Sequence, residues 1–185
     1  MTAVPAAGLV LFPGAGSSAD HSSLRAIEAA VAPLPVERVD FGYRRAGRKA
    51  PPRADTLIGE VQAVVAGRPG LVLGGRSMGG RVCSMAVAGG IPAAGLVLVC
   101  YPLHPPGRPE KLRVDHLPAL DLPCLFVSGT RDAFGTPAEL EAATASIPGP
   151  VTHVWLEGKG HDLKGADDRI AAAVTAWLAG GGPPG

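Results

Sequence analysis

The chain has 185 residues, of which 46% are hydrophobic, 18% charged and 4% aromatic, with a formal net charge of +1. That balance suits one domain with an aliphatic core and excludes a disordered or collagen-like chain. The near-zero charge gives no reason to expect nucleic acid, and no apolar run approaches the roughly 18 residues of a spanning helix, so no membrane is expected either.

In chain order, the apolar start over 1–13 lacks a basic n-region and a cleavage site, and it reads as a first strand rather than a signal peptide. Its run Gly8-Leu9-Val10-Leu11-Phe12 ends at Pro13-Gly14-Ala15-Gly16-Ser17-Ser18. A continuous apolar run of that length suits a strand buried on both faces of a parallel sheet. A helix is expected from about Ser22 to Pro33, with Leu24, Ile27, Ala30 and Val31 inward. A second strand follows over 36–41, then a polar loop over 42–53 rich in Arg, Gly and Pro, then a helix over 54–66 stopped by Gly67. A strand over 71–73 leads into a helix over 78–88. A fourth strand runs over 95–100, and 101–122 is a Pro-rich connection with one helical turn. A fifth strand is expected over 124–128, a helix over 137–146, and a sixth strand over 151–156. Thr152 and His153 mark that last strand as an edge. A final helix covers 166–178, and a disordered tail covers 180–185.

Regular alternation of strand and helix predicts one α/β domain over 1–179, with a mostly parallel sheet of about six strands and helices on both faces. Cys83, Cys100 and Cys124 are odd in number and widely spaced. They suggest buried free thiols in a cytoplasmic protein rather than a disulfide framework or a metal site.

Chemistry concentrates where strands should end. Gly75-Arg76-Ser77-Met78-Gly79 joins the third strand to its helix in the Gly-x-Ser-x-Gly pattern of a nucleophile elbow. A serine at so sharp a turn needs a strained backbone, and the glycines two residues away leave room for it. Asp132 follows the fifth strand in Gly129-Thr130-Arg131-Asp132, and His161 follows the sixth in Gly158-Lys159-Gly160-His161. The order Ser77, Asp132, His161 is that of a Ser-His-Asp triad on an open parallel sheet. A triad of this kind needs an oxyanion hole. The Met78 N–H, at a helix start, and the N–H of Ala15 or Gly16, after the first strand, are the expected donors. Gly14-Ala15-Gly16 is followed by neither a Gly-Lys-Ser/Thr nor a completed Gly-x-Gly-x-x-Gly, which speaks against a nucleotide loop.

Secondary candidates surround this set. His104, Arg76 and Tyr101 are candidate pocket-lining residues, and Asp115 is a reserve acid after the fourth strand. Arg44, Arg45, Arg48, Lys49 and Arg53 crowd the 42–53 loop, where they would draw anionic substrates or form a solvated face. Arg81 is read as structural.

The motifs Pro13-Gly14-Ala15-Gly16, Gly75-Arg76-Ser77-Met78-Gly79-Gly80-Arg81, Tyr101-Pro102-Leu103-His104-Pro105-Pro106-Gly107, Gly129-Thr130-Arg131-Asp132-Ala133-Phe134-Gly135 and Gly160-His161 together resemble a known group. It is the compact bacterial α/β-hydrolases related to the testis-expressed and chromatin-complex hydrolase-like proteins, near the dienelactone-hydrolase-like branch. Pro13 departs from relatives that carry histidine there, and serine stands where dienelactone hydrolases use cysteine. The resemblance implies an α/β-hydrolase fold with minimal or no cap, and the triad Ser77, Asp132, His161. The expected activity is hydrolysis of a small-molecule carboxylic ester or thioester without cofactor or metal. The alternatives are acyl transfer or peptidase action by the same triad, and a catalytically silent binding or scaffold module, since fold alone does not imply activity.

Overall fold

The computed structural model describes residues 4–180, so the tail expected at 180–185 lies outside the described residues from 181 onward. Its strands are β1 (Gly8–Phe12), β2 (Val36–Arg38), β3 (Leu71–Arg76), β4 (Gly95–Val99), β5 (Cys124–Gly129) and β6 (Val151–Leu156). They form one sheet in the order β2-β1-β3-β4-β5-β6, and all its pairings are parallel. The helices are α1 (Ser22–Ala30), α2 (Gly42–Arg45), α3 (Ile58–Val65), α4 (Met78–Ala88), α5 (Pro137–Thr144) and α6 (Asp167–Leu178).

Successive side chains of a strand point to opposite faces, and the core divides accordingly. Val10, Phe12, Leu73, Leu96, Leu98 and Phe126 pack on one face with Val61 of α3, Val82 of α4 and Leu140 of α5. Leu9, Leu11, Val72, Val97, Val99, Leu125 and Val127 pack on the other with Leu24 of α1 and Val174 and Trp177 of α6. Burial on both faces explains why the central strands are unbroken apolar runs rather than alternating ones.

The structure differs from the sequence expectations at several places, each with a local cause. The second strand stops at Arg38 instead of continuing over 36–41. Beyond it the Val39 N–H still donates to the Leu11 carbonyl at 2.9 Å, but the Asp40 carboxylate turns to accept from the Ala19 N–H at 2.8 Å. The expected polar loop over 42–53 contains α2, because Phe41 and Tyr43 are buried and stack in series with Phe12. The helix expected over 54–66 starts as a 3-10 turn, Ala54–Leu57, before α3. β3 runs on to Arg76 rather than ending at 73, since Gly74 and Gly75 stay in register with Val97 and Phe12. A Cβ on Gly74 would lie 2.0 Å from the Val97 carbonyl oxygen, so this part of the sheet admits no side chain. The Pro-rich connection holds one 3-10 turn, Leu117–Ala119, and is pinned to the core by Leu103, Leu117 and Leu120. β6 is an edge strand, as Thr152 and His153 suggest. Among the described residues no helix is long and apolar enough to cross a membrane.

Candidate active site

Ser77 sits between the end of β3 and the first residue of α4 with φ 49° and ψ −115°, outside the regions an L-residue adopts readily. Such a backbone costs on the order of 1–3 kcal/mol and persists only where its surroundings over-determine it. Here they do. The Ser77 N–H donates to the Val99 carbonyl at 2.7 Å, and its own carbonyl accepts from the Arg81 N–H at 3.1 Å. The flanking glycines let the elbow press against β1. A Cβ on Gly75 would meet the Phe12 carbonyl oxygen at 1.9 Å, and one on Gly79 would meet the same oxygen at 2.3 Å.

The ends of β5 and β6 are laced together, which carries Asp132 to His161. The Arg131 N–H donates to the Lys159 carbonyl at 2.9 Å, and the Gly158 N–H donates to Thr130 Oγ1 at 2.9 Å. Gly129 faces the Lys159 carbonyl so closely that a Cβ would lie 2.1 Å from its oxygen. Across this seam His161 Nδ1 lies 2.8 Å and 3.0 Å from the two Asp132 carboxylate oxygens, and His161 Nε2 lies 2.9 Å from Ser77 Oγ. The network assigns the tautomer: Nδ1–H donates to the carboxylate, which leaves the Nε2 lone pair to accept from the serine hydroxyl. The Asp132 side chain is 2% exposed and that of His161 23%, so the acid is sealed while the imidazole reaches solvent. Asp132 Oδ1 also accepts from the Phe134 N–H at 2.8 Å, and the Phe134 ring stacks on the imidazole with centroids 4.0 Å apart. Asp115, the reserve acid, is exposed and contributes nothing to this chain of bonds.

The oxyanion donors expected from the sequence stand beside the serine. Met78 is the first residue of α4, so its N–H has no partner within the helix and the positive end of the helix dipole lies there. Gly14, Ala15 and Gly16 line the same cavity. Their loop is tied down by Tyr43, whose hydroxyl donates to the Ala15 carbonyl at 2.8 Å. Tyr43 was not legible as a site residue, since nothing in a polar, Arg-rich segment says that its one tyrosine turns inward.

The cavity over Ser77 has a volume of about 520 Å³, and Pro51, Pro52, Pro102 and Phe134 supply much of its wall. Arg76 lines it as expected, and its Nη2 donates to the His161 carbonyl at 2.8 Å. Tyr101 and His104 do not line it. Tyr101 is buried behind the wall and donates to the Arg113 carbonyl at 2.7 Å. His104 is buried too, with Nδ1 2.9 Å from the Pro105 carbonyl and Nε2 3.6 Å from Glu139, and its N–H holds the Phe134 carbonyl at 3.0 Å. Both side chains support the loops around the site. In the Arg-rich loop Arg45, Arg48, Lys49 and Arg53 are exposed, Arg45 pairs with Glu60, Arg53 pairs with Asp55, and the loop lends the cavity Pro51 and Pro52 rather than its cations. The cavity's cations besides Arg76 are Arg81, which sequence reading took as structural, and Arg113, which it did not single out.

Cys100, Asp132 and His161 place three potential metal-ligand atoms within 4.8 Å of one another. Burial pushes the Cys100 thiol up to about 12, so it stays protonated, and the other two are engaged with each other. A metal would have to break that hydrogen bond, so the donor set fits an acid–base pair better than a metal centre.

A family model described as an alpha/beta hydrolase domain matches residues 5–173. Among solved structures, the chain is similar to the type II thioesterase BorB from the borrelidin biosynthetic cluster (22% identity, 96% of this chain and 95% of that one, TM-score 0.69). It is similar to the RedJ thioesterase of the prodiginine pathway in Streptomyces coelicolor (20%, 95% and 91%, 0.71). It is also similar to a bacterial membrane phospholipase A described as a virulence factor (17%, 97% and 80%, 0.76). At these identities the likeness shows the shared fold.

Proposed function

The chain belongs to the alpha/beta hydrolase domain family, and from that premise we propose that it is a serine hydrolase that cleaves carboxylic esters or thioesters through an acyl-enzyme. The observation that carries the reading is the continuous chain of hydrogen bonds from Ser77 Oγ through His161 to the sealed Asp132 carboxylate, at the mouth of an open cavity. In this reading the Ser77 hydroxyl attacks the substrate carbonyl while His161 Nε2 takes its proton. Asp132 holds the imidazole in the working tautomer and offsets its charge once protonated. The Met78 N–H and the N–H of Ala15 or Gly16 stabilise the oxyanion. Collapse of the tetrahedral intermediate breaks the bond to the alcohol or thiol, which leaves with the proton held by His161. Water then repeats the sequence and frees Ser77. Two of the similar structures carry the name thioesterase and one phospholipase, which agrees with an acyl-group substrate. The motifs around Ser77, Asp132 and His161 support a reading of the chain as a compact bacterial hydrolase near the dienelactone-hydrolase-like branch, with serine in place of cysteine.

The test is turnover of a panel of matched p-nitrophenyl esters and acyl thioesters. The wild type should hydrolyse at least one series, and Ser77→Ala should lose about a thousandfold or more in kcat while remaining folded. Equal turnover by Ser77→Ala would move the chemistry elsewhere, and no turnover by the wild type would favour the silent scaffold.

A further inference from the structure

Ester hydrolysis by Ser77, His161 and Asp132 gives no task to two arginines in the same cavity. Arg81 lies in the first turn of α4, four residues after the serine, and Arg113 projects from the Pro-rich connection opposite. Among the ion pairs of the described residues, none joins either one to a carboxylate. Arg81 Nε is buried without a hydrogen-bond partner, as is Nη1 of the neighbouring Arg76. Arg113 Nη1 reaches the Pro102 carbonyl at a long 3.3 Å. The two cations also act on each other. Burial, and then the charge of Arg81, push the Arg113 guanidinium below its ordinary value. Burial and the same charge push His116, beside them, down to about 4, with Asp115 opposing weakly. Two unpaired guanidinium charges that repel each other across the cavity are relieved when an anion arrives between them. The N-terminus of α4 adds to the same field.

We propose that Arg81 and Arg113 bind an oxygen anion carried by the substrate, a carboxylate or a phosphate, so that the enzyme prefers anionic esters or thioesters over neutral ones. The proposal rests on the hydrolase reading above and adds the substrate class to it. Arg76 is left out, because its Nη2 already holds the His161 backbone.

The experiment compares three substrates on the full-length protein at low and high salt. They are p-nitrophenyl valerate, p-nitrophenyl monoglutarate with its charge on the acyl part, and a phosphorylated phenyl valerate with its charge on the leaving group. At least one anionic ester should exceed the neutral one by about tenfold in kcat/KM, the scale of one charge-assisted hydrogen bond, and added salt should shrink the ratio. That ratio should fall about tenfold in Arg81→Gln and in Arg113→Gln, and Arg113→Lys should retain most of it. The two charged arms separate a carboxylate on the acyl part from a phosphate on the leaving group. Circular dichroism and labelling of Ser77 by a fluorophosphonate check that each variant is folded. If neither anionic ester is preferred while the neutral ester turns over, the anion site is overturned and the hydrolase reading stands. If no ester turns over and Ser77 does not label, the hydrolase reading fails. Calorimetry with glutarate and with inorganic phosphate then decides the anion site alone, which needs binding that weakens in Arg113→Gln.

Discussion

Asp132 and His161 should act as one unit with Ser77. Asp132→Asn keeps the shape but leaves a carboxamide facing Nδ1, and it should cost roughly three to four orders of magnitude in kcat with little change in KM, read by steady-state kinetics on any ester that turns over. The glycines of the site separate by the space around them. Gly79→Ala puts a methyl 2.3 Å from the Phe12 carbonyl oxygen and should destabilise the fold by about 1–3 kcal/mol. At Gly16 a Cβ meets nothing within 4 Å, so Gly16→Ala should change stability little. Urea melts of the two variants, side by side, check the contrast. The three residues Ser77, Asp132 and His161 were readable because their chemistry is tied to chain order and to strand ends. Tyr101 and His104 were misplaced because residue type and loop position do not say which way a side chain points. Arg81 and Arg113 acquire their relation when α4 and the Pro-rich connection pack together, and no local pattern records that.

The elements explain how distant residues meet. β5 and β6 deliver Asp132 and His161 only because the last residue of β5, Gly129, touches Lys159 in the loop beyond β6. Gly129→Ala forces β5 and the Lys159 loop apart and should lower kcat by more than its loss of stability accounts for, which kinetics and thermal melts on the same sample resolve. α5 gives a contrasting case away from the site. Thr136 and Glu139 form a reciprocal capping box, and Thr136→Ala should cost about 1 kcal/mol and leave kcat unchanged. Elements with strong internal signals were legible: β1, α4, β4 and β6 follow their apolar patterns closely. Those shaped by partners were not. β2 is cut short when Asp40 turns to the Ala19 N–H, β3 is extended by glycines that accept neighbouring backbone, and α2 forms because two aromatics find the core.

At the scale of the whole molecule, the sheet order puts β3 beside β1 and β4, so Ser77 and the Gly14-Ala15-Gly16 loop rise from adjacent strands, and β5 and β6 follow on one side with Asp132 and His161. The loops that carry Ser77, Asp132 and His161 lie beyond the carboxyl ends of parallel strands, where such sheets bind ligands. The pleat and the alternation of elements made this architecture readable. The cavity wall was not, because it joins residues from five separate loops and the elbow at Ser77. Burial also sets a global pH response. The folded chain holds His116 at about 4 against an ordinary 6.5, while His21 and His153 are lowered too, each chiefly by desolvation. Between those values the unfolded chain binds protons that the folded chain refuses. This contribution to stability is therefore whole above 6.5 and is lost as pH falls toward 4. Melting temperature should fall over that range, and His116→Gln should show a shallower fall than wild type.

If Ser77 is the activated nucleophile proposed for it, covalent labelling should find it. The native protein is treated with a fluorophosphonate and the modified peptide is identified by mass spectrometry. One adduct per chain is expected, on Ser77, formed quickly in the wild type, slowly in Asp132→Asn and not at all in Ser77→Ala. An adduct on another residue, or a native, folded protein that takes up no probe, would contradict that role for Ser77.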